Sequence, residues 1–222
     1  MMTHTFRTLS TLVVLILFTL GMQAQSGDPL TLLKEVEKKT LAYTDQTIQF
    51  SMVIEAPGRD GKKVQRKTSG KVEVVGEKAL LSLNGQLIFL EGARVTTVSE
   101  EDEEIVVRKL DGDEAQFTPT ALVKKYETGS NFQWAGEETV ANGVNIVYIR
   151  MKPKNNVDVR DVVLGINMRT KRIHSYQEFG TNDVTTTLRI VQYEVNQGVT
   201  LQKVTFNKSK YPGYDYVAPK GM

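Results

Sequence analysis

Residues 46–56 read Gln-Thr-Ile-Gln-Phe-Ser-Met-Val-Ile-Glu-Ala, and this stretch limits the fold more than any other. Ile48, Phe50, Met52 and Ile54 take alternate positions, with Gln49, Ser51 and Glu55 between them. Strand side chains alternate between two faces, so this spacing predicts a strand with one apolar and one mostly polar face. The turn cluster Pro57-Gly58-Arg59-Asp60-Gly61-Lys62 follows, so a second strand over 64–75 is expected to fold back on the first. Gly70 within it is expected to mark a bulge or bend.

The same logic repeats along the chain. Asn84-Gly85 joins strands 78–83 and 86–90, and the acidic run 100–104 joins 94–99 to 105–110. Strands are further expected at 132–135, 138–141, 145–152, 159–167, 172–179, 184–195 and 200–207, with Asn142-Gly143 and residues 168–171 as turns. The tail from Tyr211 to Tyr216 reads as irregular. Two helices interrupt this order. Asp28 caps the first and Pro29 opens it; Leu30, Leu33, Val36, Glu37 and Leu41 give it a partial apolar stripe through Tyr43. The second runs from Thr120 to about Tyr126, after Thr118-Pro119 and before Gly129. About eleven strands in nearly unbroken antiparallel order predict a mainly β (α+β) fold: a strongly curved, unclosed antiparallel β-barrel. The two short helices are then its lid.

Residues 1–24 are expected to be a cleavable signal peptide. Arg7 gives the basic start, residues 12–20 an apolar run too short to span a bilayer, and Ala24 a small residue at the cut. Residues 25–222 then form a single domain, exported to the periplasm. No cysteine is present, which excludes disulfides, thiolate chemistry and a lipid anchor on cysteine. A formal net charge of +2 with 24% charged residues is too balanced for a nucleic-acid partner.

Catalytic motifs are missing from the chain. His174 is the one histidine beyond the signal, and there is no Gly-x-Ser-x-Gly elbow, His-Glu-x-x-His motif or phosphate-cradling glycine loop. The acid pairs Glu137-Glu138 and Asp111/Asp113 fall at turns and strand edges, where solvation accounts for them. The five consecutive acids at 100–104 lack the spaced ligands and glycine of a calcium loop. The reading is therefore no enzyme, no cofactor and no metal. Trp134 and the strand methionines Met52, Met151 and Met168 fit either an ordinary core or an adaptable apolar lining.

Several segments, in order, resemble the LolA family of periplasmic outer-membrane lipoprotein carriers, especially its Bacteroidetes-type members. Leu33-Lys34-Glu35-Val36 through Tyr43, then Ile48-Gln49-Phe50-Ser51-Met52, is similar to the family's opening helix and first strand. Glu91-Gly92-Ala93-Arg94-Val95 stands where the family has an Asp-Gly-Lys-Thr motif, and Thr118-Pro119-Thr120-Ala121-Leu122 resembles its central helix. Val204-Thr205-Phe206 and Lys210-Tyr211-Pro212-Gly213-Tyr214-Asp215 resemble its ending. The family's arginine after the second strand has no counterpart in Val75-Gly76-Glu77-Lys78, which leaves Lys78 as the cation there.

The resemblance implies a helix-lidded apolar cavity for the acyl chains of lipoproteins or lipids. It also implies loading by an inner-membrane ABC transporter and unloading to an outer-membrane acceptor, by a monomeric shuttle. The expected lining is Ile48, Phe50, Met52 and Ile54, then Leu81, Leu83, Leu87 and Phe89 on the central hairpin, and Leu122, Val123 and Tyr126 from the lid. The alternative is a binding or sensor module of the same fold that holds a lipid or lipoprotein without passing it on; release to an acceptor membrane separates the two.

Overall fold

The computed structural model describes residues 27–110, 130–154 and 156–219. Helix α1 (Pro29–Leu41) comes first. The strands are β1 (Gln46–Pro57), β2 (Lys63–Val75), β3 (Lys78–Leu83), β4 (Gln86–Glu91), β5 (Arg94–Ser99) and β6 (Glu104–Lys109). After residue 129 come β7 (Ser130–Val140), β8 (Val144–Pro153), β9 (Val159–Asn167), β10 (Arg172–Gly180), β11 (Thr185–Val195) and the short β12 (Asp215–Val217). All twelve belong to one sheet in the order β12-β6-β5-β4-β3-β2-β1-β11-β10-β9-β8-β7. Every neighbouring pair is antiparallel except β12 with β6, which is parallel. The edge strands β12 and β7 do not meet, so the curled sheet stays open.

Local chemistry explains most of the connections. Asn84 and Gly85 both have positive φ (52° and 77°), as do Asn142 and Gly143 (66° each). Two successive left-handed residues match the twist of a tight hairpin, and Asn-Gly meets that need at least steric cost. The Asp28 carboxylate accepts the Leu30 N–H at 3.0 Å and caps α1, whose buried side is Pro29, Leu32, Leu33, Val36 and Thr40. The helix ends at Leu41, which is exposed, rather than continuing to Tyr43.

Gly70 marks no bulge, for β1 and β2 stay in register from Gln46 to Pro57. The register shift lies on the other side of β1, between Gln49 and Phe50 against β11. Gly70 instead makes room: a Cβ there would stand 2.5 Å from Cζ of Phe50. The two short strands expected at 132–141 are one strand, β7, irregular between Trp134 and Glu137.

The sheet buries both faces, with different covers. Directly opposed residues share a face, so the register divides the side chains. The inner face carries Ile48, Phe50, Val72, Leu81, Leu90 and Val95, and continues across β8 and β9 through Val147, Ile149, Met151, Val162, Leu164 and Ile166. Helix α1 packs here, and is fastened by the Trp134 indole N–H to the Gly27 carbonyl (3.0 Å) and by Lys171 to Glu35 (3.3 Å).

The outer face of β3–β6 carries a second cluster: Leu80, Phe89, Val98, Ile105 and Val107. Residues after β11 cover it with Val204, Phe206, Tyr211 and Tyr214. The strand expected at 200–207 is not formed. That segment turns on itself (Lys203 N–H to Thr200 carbonyl, 3.0 Å) and contributes side chains rather than a ladder. The strand lies further on, where Asp215–Val217 pairs with Glu104–Val106. Lys203 reaches the buried Glu73 carboxylate at 2.5 Å, and Lys78 reaches Glu91 at 2.8 Å and the Thr205 hydroxyl at 3.1 Å.

Candidate functional site, an apolar face with one open end

Among the described residues, the inner face is set apart by its composition and its cover. Alternation along β1 sends Ile48, Phe50, Met52 and Ile54 to it together. Their β2 neighbours on this face are Val72, Gly70, Thr68 and Arg66, and beyond those come Leu81 and Leu83 of β3. Six of the expected lining residues therefore share one face. Ile48, Phe50 and Leu81 are buried in its centre; Met52, Ile54 and Leu83 are half-buried towards the β1–β2 turn.

Leu87 and Phe89 do not join them. Leu87 stands opposite Ser82 and Phe89 opposite Leu80, which puts both on the outer face against the chain's last residues. Phe89 meets Phe206 edge-on, with ring centroids 5.6 Å apart. The inner-face residues of β4 are Ile88 and Leu90. Leu122, Val123 and Tyr126, with the rest of the second helix, lie outside the described residues, as does the signal segment 1–24.

The sequence carried two signals of this arrangement that point beyond the expected set. Leu87-Ile88-Phe89-Leu90 is continuously apolar, and such a run marks a strand buried on both faces. Val147, Ile149 and Met151 alternate as strictly as the residues of β1, and all three are fully buried on the inner face.

The two ends of the face differ in polarity. At the end where β1 begins, the Arg172 guanidinium sits between the rings of Tyr43 and Tyr193, 5.2 and 4.9 Å from their centroids. It donates to the Tyr43 hydroxyl at 3.2 Å and the Tyr193 carbonyl at 3.0 Å, while the Tyr193 hydroxyl donates to Gln46 at 2.5 Å. Burial, with Tyr43 beside it, pushes the Tyr193 phenol well above its ordinary pKa, partly offset by Arg172. A neutral phenol therefore stays in place as a hydrogen-bond donor. Close by, Asp45 takes the Gln197 and Gly198 N–H groups at 3.0 Å each. Burial raises the Asp45 pKa, but these donors, with Thr44 and Val199, outweigh it and hold the carboxyl below the usual range.

The opposite end is half-exposed among the described residues. Met52, Ile54 and Leu83 stand half-exposed there, beside the Thr68 hydroxyl, held by Asn84 at 2.5 Å; Arg66 and Thr186 flank Ile54, and Glu178, which accepts from the Tyr176 hydroxyl, lies in the same row. The face has few fixed polar groups and much adaptable apolar area, which suits a flexible hydrocarbon rather than a ligand held by hydrogen bonds.

The other groups singled out in sequence are accounted for separately. His174 is half-buried, with no hydrogen-bond or ion-pair partner among the described residues. Glu137 accepts from the Asn145 amide at 3.1 Å and Glu138 from the Tyr148 hydroxyl. Burial and then Glu138 push the Tyr148 phenol up to about 12. Lys78, the cation after the second strand, is engaged with Glu91 and Thr205 on the outer face. A shallow groove of about 490 Å³ crosses the outer face at Gln49, Ser51, Ser69, Lys71 and Ser82, with Val191 at its side. No group of metal-ligating side chains occurs among the described residues, and none of their helices is long and apolar enough to cross a membrane.

No family model and no curated protein matches this sequence. Solved structures do match in shape. An uncharacterized conserved protein from Thermus thermophilus superposes with a TM-score of 0.55 at 11% identity, over 85% of this chain and 98% of that one. A putative outer membrane lipoprotein-sorting protein domain from Vibrio parahaemolyticus gives 0.45 at 10% identity, over 82% and 97%. LprF from Mycobacterium bovis gives 0.41 at 9% identity, over 77% and 94%. The first of these shows a shared fold.

Proposed function

We propose that the protein is a non-catalytic periplasmic carrier that shelters the acyl chains of lipoproteins or lipids on the inner face and hands them from the inner to the outer membrane. One observation carries the reading: a continuous apolar face, sealed by polar groups at one end and left half-exposed through Met52, Ile54 and Leu83 at the other. The resemblance in sequence to the LolA carriers supports it, and supplies the roles of a loading transporter and an outer-membrane acceptor.

The energetics favour an incomplete seal. Burying hydrocarbon is worth about 0.8 kcal/mol per methylene, so a chain of about sixteen carbons gains on the order of 12 kcal/mol. A bilayer offers nearly the same. A carrier that held the chain much more tightly than a membrane does would never release it. Half-exposed methionine, leucine and isoleucine side chains at the open end keep the two affinities close.

The test is native mass spectrometry of the protein purified from its own periplasm, combined with extraction of an acylated peptide from vesicles. Bound lipid mass and transfer from donor to acceptor vesicles are the expected results. A protein that is lipid-free and extracts nothing would overturn the proposal; one that extracts but never delivers would be a binding module instead.

A further inference from the structure

The β1–β2 hairpin reaches past its neighbour and carries a cluster of positive charge. β2 pairs with β3 only over Gly70–Val75, which leaves residues 63–69 flanked on one side by β1 alone. At about 3.3 Å per residue, those seven residues extend the hairpin roughly 23 Å beyond the end of β3. The arm, residues 51–69, holds five cations (Arg59, Lys62, Lys63, Arg66 and Lys67) and two carboxylates, Glu55 and Asp60, a local net charge of +3 on a chain whose total is +2.

All five cations are exposed. Asp60 stands 3.9 Å from Lys62, and both side chains are largely in solvent. Arg59, Lys63, Arg66 and Lys67 have no ion-pair or hydrogen-bond partner for their side chains among the described residues. The acidic turn at 100–103 follows Ser99, which is level with Gly70 and three strands across from β2, about 14 Å at roughly 4.8 Å per strand. That separation exceeds the screening length of about 8 Å in physiological salt.

The placement of this charge connects it to the site. Arg66 stands directly opposite Ile54, and Val64, itself 51% exposed, stands opposite Ala56, both on the inner face. The cations thus border the half-open end of the apolar face. We infer that this hairpin is a docking arm for an anionic phospholipid surface, which sets the open end of the inner face against the bilayer from which a chain enters or to which it returns. The inference rests on the acyl-carrier reading and adds where and how the carrier meets a membrane. Lysine and arginine are drawn to acidic head groups, and an exposed valine between them enters the interface at little cost.

The test is co-sedimentation of the purified protein with vesicles of phosphatidylcholine alone and with phosphatidylglycerol mixed in. Binding is expected only to the anionic vesicles, and is expected to vanish at about 1 M salt, where screening falls to about 3 Å. Each cation near such a surface strengthens binding about fivefold, so the triple variant Lys63→Gln, Arg66→Gln, Lys67→Gln is expected to bind about a hundredfold more weakly. Circular dichroism checks that the variant is folded. Equal binding to both vesicle types, or unchanged binding by the folded variant, overturns the inference. A soluble fluorescent fatty acid separates this from the carrier reading. If wild type takes the fatty acid but ignores anionic vesicles, the arm fails and the apolar site stands. If it sediments with the vesicles but takes no fatty acid, the carrier reading fails.

Discussion

Replacing Gly70 with alanine tests the packing at the centre of the inner face. A Cβ at this position would lie 2.5 Å from Phe50 Cζ, 3.0 Å from the Ser82 carbonyl oxygen and 3.1 Å from Leu83 Cδ1. The Phe50 ring is 2% exposed and has little room to swing away. Overpacking of this kind costs about 1–3 kcal/mol. Loss of glycine's freedom in the unfolded chain returns about 0.4–1 kcal/mol. The net expectation is a destabilisation of up to about 2.6 kcal/mol, or up to about 10 °C in Tm for a domain of this size. Phe50→Leu removes the atom that clashes, at its own cost on the order of 1–2 kcal/mol for the lost packing. Because one contact links the two positions, the double variant is expected to be more stable than the sum of the singles by about 1 kcal/mol. Urea denaturation of the four proteins gives this coupling directly. Strict additivity would refute the claim that the glycine exists to admit the ring.

Other perturbations address the site and its supports. Met52→Asp at the half-exposed end is expected to abolish acyl uptake while costing less stability than Ile48→Asp in the buried centre; fluorescent fatty-acid titration and thermal melting read the two effects. Burial raises the Glu91 pKa, but hydrogen bonds and charge from Lys78 and Arg94 outweigh it and leave the carboxyl lowered. A lowered folded pKa gives stability that is present above about pH 4.5 and lost as pH falls through the folded value, so Glu91→Gln is expected to flatten the acid limb of a Tm-against-pH curve. Tyr148 has the opposite sign. Its folded pKa of about 12 against an ordinary 10.0 means stability present below pH 10 and lost as pH rises towards 12. Ultraviolet difference titration of wild type against Tyr148→Phe is expected to show that phenol ionising well above pH 10, and earlier once Glu138 is replaced by glutamine.

Much of this architecture can be read from local chemistry, and the parts that cannot have a common cause. The Asn-Gly hairpins, the Asp28 cap and the alternation of β1 are short-range features, decided within a few residues. The pairing of β1 with β11 joins residues about 140 positions apart, and β12 finds β6 across more than a hundred; neither leaves a local mark. Val204 and Phe206 alternate as a strand would, yet they cover an apolar face instead of extending a ladder. Periodicity records which side chains are buried, but not whether the backbone between them is paired. The split between Leu81 and Leu83 on one side and Leu87 and Phe89 on the other follows from register. Register across a tight turn can be counted once the turn type is known, since residues equidistant from Asn84-Gly85 oppose one another.

The segment 199–218 has a consequence for the birth of the chain. Until residues 199–218 have been synthesised, Leu80, Phe89, Val98, Ile105 and Val107 have no partner to keep water from them, and β6 remains an unguarded margin able to recruit a stray strand. A nascent chain thus stays adhesive until that segment has been made. A stop codon placed soon after Gly198 would yield a polypeptide with most of its sheet and a strong tendency to clump.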